Sequence, residues 1–249
     1  MRSQKPGASR KPGARSQNWV RLCVCSVLLF WLLAPGFWLP NLAYAQTYTL
    51  DQVLAKMEEN GKNFRSMQAS LERTKVTVIV NDKATDYGTV YFARRGKDPR
   101  IMVDITKPEQ QRMLIDRGKA LLFFPKLKQV QEYFLGQDQD KAEFLLIGFG
   151  QSNQDIRKVY DTALVGEETI NGVKTSVLEL KPKSVRVSAL FSKIRLWMDQ
   201  TKWIPIQTQM TEASGDYMIV KFTNIKMNLQ IPESAFDLKM PKDVKTIKL

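Results

Sequence analysis

Between Gly88 and Pro125 the chain reads as four consecutive short apolar-alternating segments separated by turn sequences, with no stretch long enough for a helical crossover. Parallel strands need a crossover of a dozen or more residues, so segments joined this closely must pair antiparallel. The strand Gly88–Arg94 places Val90, Phe92 and Arg94 on one face and Thr89, Tyr91 and Ala93 on the other. Arg94 thus ends an apolar strand face, where solubility alone does not explain a charge. Ile101, Val103 and Ile105 alternate with Met102, Asp104 and Thr106 in the next strand, which stops at Lys107-Pro108. Arg112–Ile115 and Ala120–Pro125 flank the polar turn Asp116-Arg117-Gly118-Lys119.

Alternation extends in both directions. It runs from Ala69 through Val80 to the turn signal Asn81-Asp82, and Asn171-Gly172 is a hairpin signal between 163–170 and 173–180. Val185–Asp199, Trp203–Met210 and Tyr217–Phe222 complete the strands. Helical periodicity is confined to three places. Thr49 and Gln52 form a capping box before Leu50, Val53, Leu54 and Met57, with Asn60-Gly61 as the expected stop. Asp140–Glu143 starts an apolar run, Phe144 to Ile147, that ends at Gly148-Phe149-Gly150. Ser152 with Asp155 starts a third piece carrying Ile156, Val159 and Tyr160. The expected architecture is α+β: an incomplete, strongly curved antiparallel β-barrel of about eleven strands, with short helices as core plug or lid.

The first 45 residues differ in kind. They hold six basic residues and no acid, then an apolar run from Leu22 to Leu39 broken by Pro35-Gly36, then Ala43-Tyr44-Ala45. This is the pattern of a cleaved signal peptide, with an uncleaved anchor as the alternative. Export and a single domain over residues 46–249 are the expectation. Cys23 and Cys25 both fall in the leader, so no disulfide supports the mature chain. Removing the six leader cations from 38 leaves 32 against 25 acids, a net charge of +7. Those charges are interspersed along strands, which argues against nucleic-acid binding.

No histidine occurs anywhere. Histidine-based catalysis and the usual zinc sites are therefore excluded, and no Walker-type or GxGxxG sequence is present. Asp138, Asp140 and Glu143 are explained by a solvated first helical turn. Carboxylate-only or Ser-Lys chemistry stays open as the lesser reading, and the expectation is a protein with no catalytic residue, no metal and no cofactor. What remains is apolar surface on a half-closed sheet. By composition alone, Phe92, Ile101, Val103, Leu122 and Phe124 read as core.

The order of these features resembles the periplasmic outer-membrane lipoprotein carrier family (LolA-like). The resemblance is carried by Gly88–Arg94 followed by Pro99 and Ile101–Ile105, by Thr106-Lys107-Pro108, and by the 116–119 turn. Phe144-Leu145-Leu146 and the closing phrase Ile231–Leu238 with Pro241–Val244 carry the rest. Tyr91 and Val103 stand where better-known carriers have tryptophan. The resemblance implies a monomer that carries lipoprotein acyl chains across the periplasm, from an inner-membrane ABC transporter to an outer-membrane acceptor. It implies an acyl cavity lined by Val90, Phe92, Ile101, Val103, Ile105, Leu122, Phe124, Phe144 and Leu145. It also implies a lid latch at Arg94, whose guanidinium bonds lid carbonyls; the adjacent Arg95 points to the other face. Two other binding roles on the same fold are an envelope glycolipid carrier and a stress-sensor subunit. The latter is expected to need a further C-terminal domain, for which the sequence up to Leu249 leaves no room.

Overall fold

The computed structural model describes residues 48–95, 98–134 and 147–249. Residues Gln46–Leu249 cluster as one compact unit. Helix α1 (Leu50–Asn63) is followed by β1 (Ser66–Thr77), β2 (Asp82–Arg95), β3 (Asp98–Lys107), β4 (Gln111–Asp116), β5 (Lys119–Phe124) and β6 (Gln129–Phe134). Then come α2 (Asn153–Val159), β7 (Tyr160–Ile170), β8 (Val173–Pro182), α3 (Val185–Leu190), β9 (Lys193–Asp199), β10 (Pro205–Thr211), β11 (Tyr217–Met227) and β12 (Lys245–Lys248). All twelve described strands join one sheet in the order β12-β6-β5-β4-β3-β2-β1-β11-β10-β9-β8-β7. The sheet is open, with β12 and β7 as its edges, and every pair is antiparallel except β12 with β6.

Local chemistry accounts for most boundaries. The α1 capping box forms in full: the Gln52 amide donates to Thr49 Oγ1 at 3.3 Å and the Thr49 amide to Gln52 Oε1 at 2.9 Å. Ser152 Oγ accepts from the Asp155 amide at 3.1 Å and starts α2. Arg117 and Gly118, like Asn171 and Gly172, have positive φ at both central turn positions, as two-residue hairpins require. Gly88 sits opposite Ile105 beside a bulge, where a Cβ would meet the Asp104 carbonyl oxygen at 2.1 Å.

Two expectations are corrected. Residues 185–190 form helix α3, not the start of a strand that continues to Asp199. Alternating Val185 and Val187 fit either period over so short a span, and only Val187 is buried. Gly61 does not stop α1, which continues to Asn63. Its missing side chain serves packing: a Cβ there would lie 2.5 Å from Gly150 Cα.

The sheet has an inner face, under α1, and an outer face. On the inner side, Val53, Leu54 and Met57 of α1 pack with Leu178, Leu180, Ile194, Leu196, Met198 and Met210 of β8–β10. A second inner cluster joins Phe64, Met67, Ala69 and Leu71 to Val90, Phe92, Ile101, Ile105, Ile115, Phe149 and Ile204. On the outer face Met102, Phe123 and Val130 are covered by Phe236 and Leu238 from the segment between β11 and β12. Arg100 lies over the Phe236 ring, 4.7 Å from its centroid, and Arg112 Nη1 donates to the Leu238 carbonyl at 3.1 Å. The C-terminal segment is thus a strap that crosses the back of β3–β6 before adding β12 beside β6.

Two outcomes follow. Gly61→Ala gains about 1 kcal/mol of helix propensity but forces a backbone contact apart, at about 1–3 kcal/mol. Urea denaturation should show a net loss, and a gain would mean that the Gly61–Gly150 approach is not tight. Glu179, opposite Arg195 and bonded to its Nε at 2.8 Å, has its pKa lowered chiefly by that hydrogen bond. A depressed folded value stabilises the protein above the ordinary glutamate pKa of about 4.3 and ceases to as pH falls through the folded value. Glu179→Gln should therefore be less stable than the parent at pH 7, with the gap closing in acid below that window. A gap independent of pH would refute the assignment.

Candidate functional site

The end of β2 is where three distant pieces of chain converge on the inner face. The Arg94 amide donates to the Arg65 carbonyl at 2.8 Å, fixing the strand end against the link between α1 and β1. Its side chain continues along the face of Val90 and Phe92, as strand alternation requires. Arg94 Nη2 donates to the carbonyl of Phe149 at 3.3 Å and to that of Gly150 at 3.4 Å. Both are long for a charged donor, for which about 2.7–2.9 Å is usual. Gly150 has φ 92°, and a Cβ on it would sit 2.3 Å from Arg94 Nη2. Only glycine admits the guanidinium at that turn.

The carbonyls belong to a turn whose side chain, Phe149, is planted in the apolar interior. Its ring centroid is 5.8 Å from Phe64, 6.4 Å from Phe92 and, edge-on, 6.0 Å from Phe222. Phe64 and Phe92 are 5.0 Å apart. These are the separations at which aromatic pairs attract beyond their area. The residues that follow the turn are tied to α1 by polar contacts: the Asn153 amide donates to Glu58 Oε2 at 3.2 Å, and Arg157 pairs with Asp51. Segment 147–159 and α1 therefore lie together over the inner face. Among the described residues, Gln151 Oε1 and Asn153 Oδ1 are buried without a hydrogen-bond partner. Each such atom costs about 1–3 kcal/mol.

Of the residues nominated from sequence, Val90, Phe92, Ile101 and Ile105 are buried in one cluster with Phe149, and Val103 packs against it. Leu122 and Phe124 continue the same face, since Val90 pairs with Val103, Val103 with Met113 and Met113 with Leu122, but both are only half-buried. Phe144 and Leu145 lie outside the described residues, as do Asp138, Asp140 and Glu143. Sequence reasoning missed Phe149, Phe222, Ile204 and the glycine pair 61/150. The phrase Gly148-Phe149-Gly150 was the available signal for the turn, but nothing local marks its partners, which come from residues 61–64, 92–94 and 222.

A cavity of about 220 Å³ opens at the ends of β8–β11, with Ile170, Val173, Ile206, Phe222 and Ile225 as its apolar wall and Asp199, Lys202 and Lys221 among its polar groups. That is below the roughly 300–1,000 Å³ of a pocket for a drug-sized ligand. Phe222 is shared between this cavity and the Phe149 group, so moving Phe149 would enlarge the space behind it. Among the described residues, no group of His, Cys, Asp or Glu is placed to hold a metal ion, and no helix is long and apolar enough to cross a membrane.

The chain has known relatives. An uncharacterized protein of Methanocaldococcus jannaschii is 22% identical over 201 residues, covering 80% of this chain and 54% of that one. An outer-membrane lipoprotein carrier protein of Pseudomonas syringae pv. tomato is 27% identical over 141 residues, covering 57% of this chain and 63% of the carrier. The chain thus spans between half and two-thirds of the length of these relatives. Among solved structures, an uncharacterized conserved protein from Thermus thermophilus shares the fold with a TM-score of 0.50, at 13% identity over 80% of this chain and 98% of that one. The profile of the family described as outer membrane lipoprotein carrier protein LolA matches residues 62–239, a span that holds every strand but β12 and includes Arg94, Phe149 and Gly150. The chain belongs to the LolA family of outer membrane lipoprotein carrier proteins.

Proposed function

We propose that this protein binds the acyl chains of lipoproteins between its inner sheet face and the α1/147–159 cover, and carries them across the periplasm. It takes them from an inner-membrane ABC transporter and gives them to an outer-membrane acceptor, as a monomer formed by residues 46–249 after removal of the leader. The task needs no chemistry, and the absence of histidine is in keeping with that. One observation carries the reading: a charged latch, Arg94, holds the carbonyls of a turn whose phenyl ring plugs an otherwise apolar interior.

The energetics favour a cover that can be exchanged. Phe149 leaves water on closing, but so does an acyl chain, at about 0.8 kcal/mol per CH₂. A few methylenes therefore match the two long hydrogen bonds of Arg94, which at about 1.5–3 kcal/mol for charge-assisted bonds lie at the weak end of their class. In this reading Arg94 sets the closed-state energy. Arg94 is the proposed latch, and Val90, Phe92, Ile101, Val103, Ile105, Leu122 and Phe124 the proposed lining, with Phe149 as the group the ligand displaces.

Arg94→Leu keeps the apolar face but removes the bonds to 149 and 150. Bound lipoprotein should then be retained, with transfer to acceptor membranes slowed by roughly tenfold, the equivalent of about 1.4 kcal/mol. Arg94→Lys should give an intermediate rate, because an ammonium lacks the fork that spans two carbonyls. Unchanged transfer by the leucine variant, with the fold intact by circular dichroism, would remove the latch role. Native mass spectrometry of the protein purified from its own envelope identifies the cargo: a co-purified acylated peptide is expected, whereas a free glycolipid would replace lipoprotein carriage with lipid carriage.

A further inference from the structure

The turn between β1 and β2 is unlike the other hairpin turns of the sheet, among which, in the described residues, only the β5–β6 turn exposes a large aliphatic side chain, the single residue Leu127. Arg117-Gly118, Asn171-Gly172 and Ser214-Gly215-Asp216 are polar, as turns in water are. Between β1 and β2 stand Val78, Ile79 and Val80, which are 50%, 87% and 68% exposed. Three consecutive β-branched aliphatic residues at the tip of the longest hairpin leave an apolar point directed into solvent.

The tip is held firmly. The Val78 amide donates to Asp216 Oδ1 at 2.9 Å, and the Asn81 amide to the Val78 carbonyl at 3.2 Å. The β10–β11 turn that supplies Asp216 also binds the far end of α3: Ser192 Oγ donates to the Thr211 and Glu212 carbonyls, each at 3.2 Å. Helix α3 adds Val185, which is 85% exposed, to the same end of the sheet. Cations lie beside both features, balanced at the tip by Asp82 and Asp216 and in excess along 183–193, where Lys183 pairs with Asp161. Lys75 and Lys83 are exposed beside the tip, and residues 183–193 hold Lys183, Arg186 and Lys193 with no acid among them.

We propose that this end of the sheet is a docking surface for an anionic lipid bilayer, with Val78–Val80 inserted at the level of the acyl boundary and the lysines at the headgroups. The feature is a convex wedge, not a groove, so its apolar surface is covered best by a fluid medium that closes around it. The tip itself holds no aromatic residue of the sort that anchors protein interfaces. Its turn amides at Val78 and Asn81 already have partners, which matters where water is scarce. Apolar insertion combined with cationic attraction is the mode of interfacial binding. The inference is independent of what the inner face holds.

The test uses Cys23→Ser and Cys25→Ser to leave no native thiol, then Ile79→Cys labelled with an environment-sensitive fluorophore. Thr169→Cys, exposed next to the β7–β8 turn at the opposite end, carries the same label as control. Vesicles of phosphatidylethanolamine with phosphatidylglycerol should shift the emission at position 79 to the blue and let brominated lipid quench it, with little change at 169. Pure phosphatidylcholine vesicles should do so more weakly. In the otherwise native chain, joint replacement Val78→Asp, Ile79→Asp and Val80→Asp should raise the lipid concentration for half-maximal energy transfer from tryptophan to a dye-labelled headgroup by at least about tenfold, with circular dichroism unchanged. A label at 79 that stays in water at saturating lipid overturns the proposal, as does an equal response at 169. Equal responses to the two vesicle compositions overturn the role of the lysines.

Discussion

An open sheet cannot close its interior with strands alone. Here twelve strands present two apolar faces, and each depends on chain from outside the sheet for cover. The two covers differ in kind. The outer one is a continuous strap fixed by Phe236, Leu238 and the arginines beneath them, and its end is hydrogen-bonded into the sheet as β12. The inner one is made of α1 and the 147–159 segment, which lie on the sheet chiefly through side chains and a few polar contacts; the main-chain bond from Lys183 to the Val159 carbonyl, at 2.9 Å, ties only the segment's last residue to the end of β8.

That difference decides where the molecule can change. Removing the strap would break backbone pairing and an apolar cluster together, whereas lifting the Phe149 turn costs two long hydrogen bonds, the burial of Phe149 and Ile147, and the close fit against Gly61, with no strand pairing lost. A ligand with an apolar tail replaces the second loss with its own burial. The Gly61–Gly150 approach has a further effect: because the backbones pack this closely, lifting the turn also uncovers the end of α1. Arg94 therefore acts on a unit larger than the two residues it contacts.

Much of this was legible in the residues. The capping box at Thr49, the hairpin turns at Arg117-Gly118 and Asn171-Gly172, and the face shared by Val90, Phe92 and Arg94 rest on interactions within a few residues of one another, so the sequence displays them directly. The rest depends on long-range partners. Gly61 looked like a helix stop because stopping and close packing both ask for a residue without a side chain. Phe149 and Phe222 became important through residues far away in the chain. The parallel pairing of β12 had no local mark, because a four-residue edge strand alternates too briefly to show period two. Val185–Leu190 failed for the same reason in the opposite direction.

The strap has a consequence for the order in which the protein can be made. Its cluster pairs the early strands β3–β6 with residues 231–244, and β1 likewise pairs with β11. During synthesis the first half of the sheet emerges with its back bare and its central neighbour missing. Contacts so distant in sequence form late and slowly. A chain built this way completes its sheet only when its last strands arrive, and the delay leaves β2–β6 as the stretch whose apolar back stays bare longest.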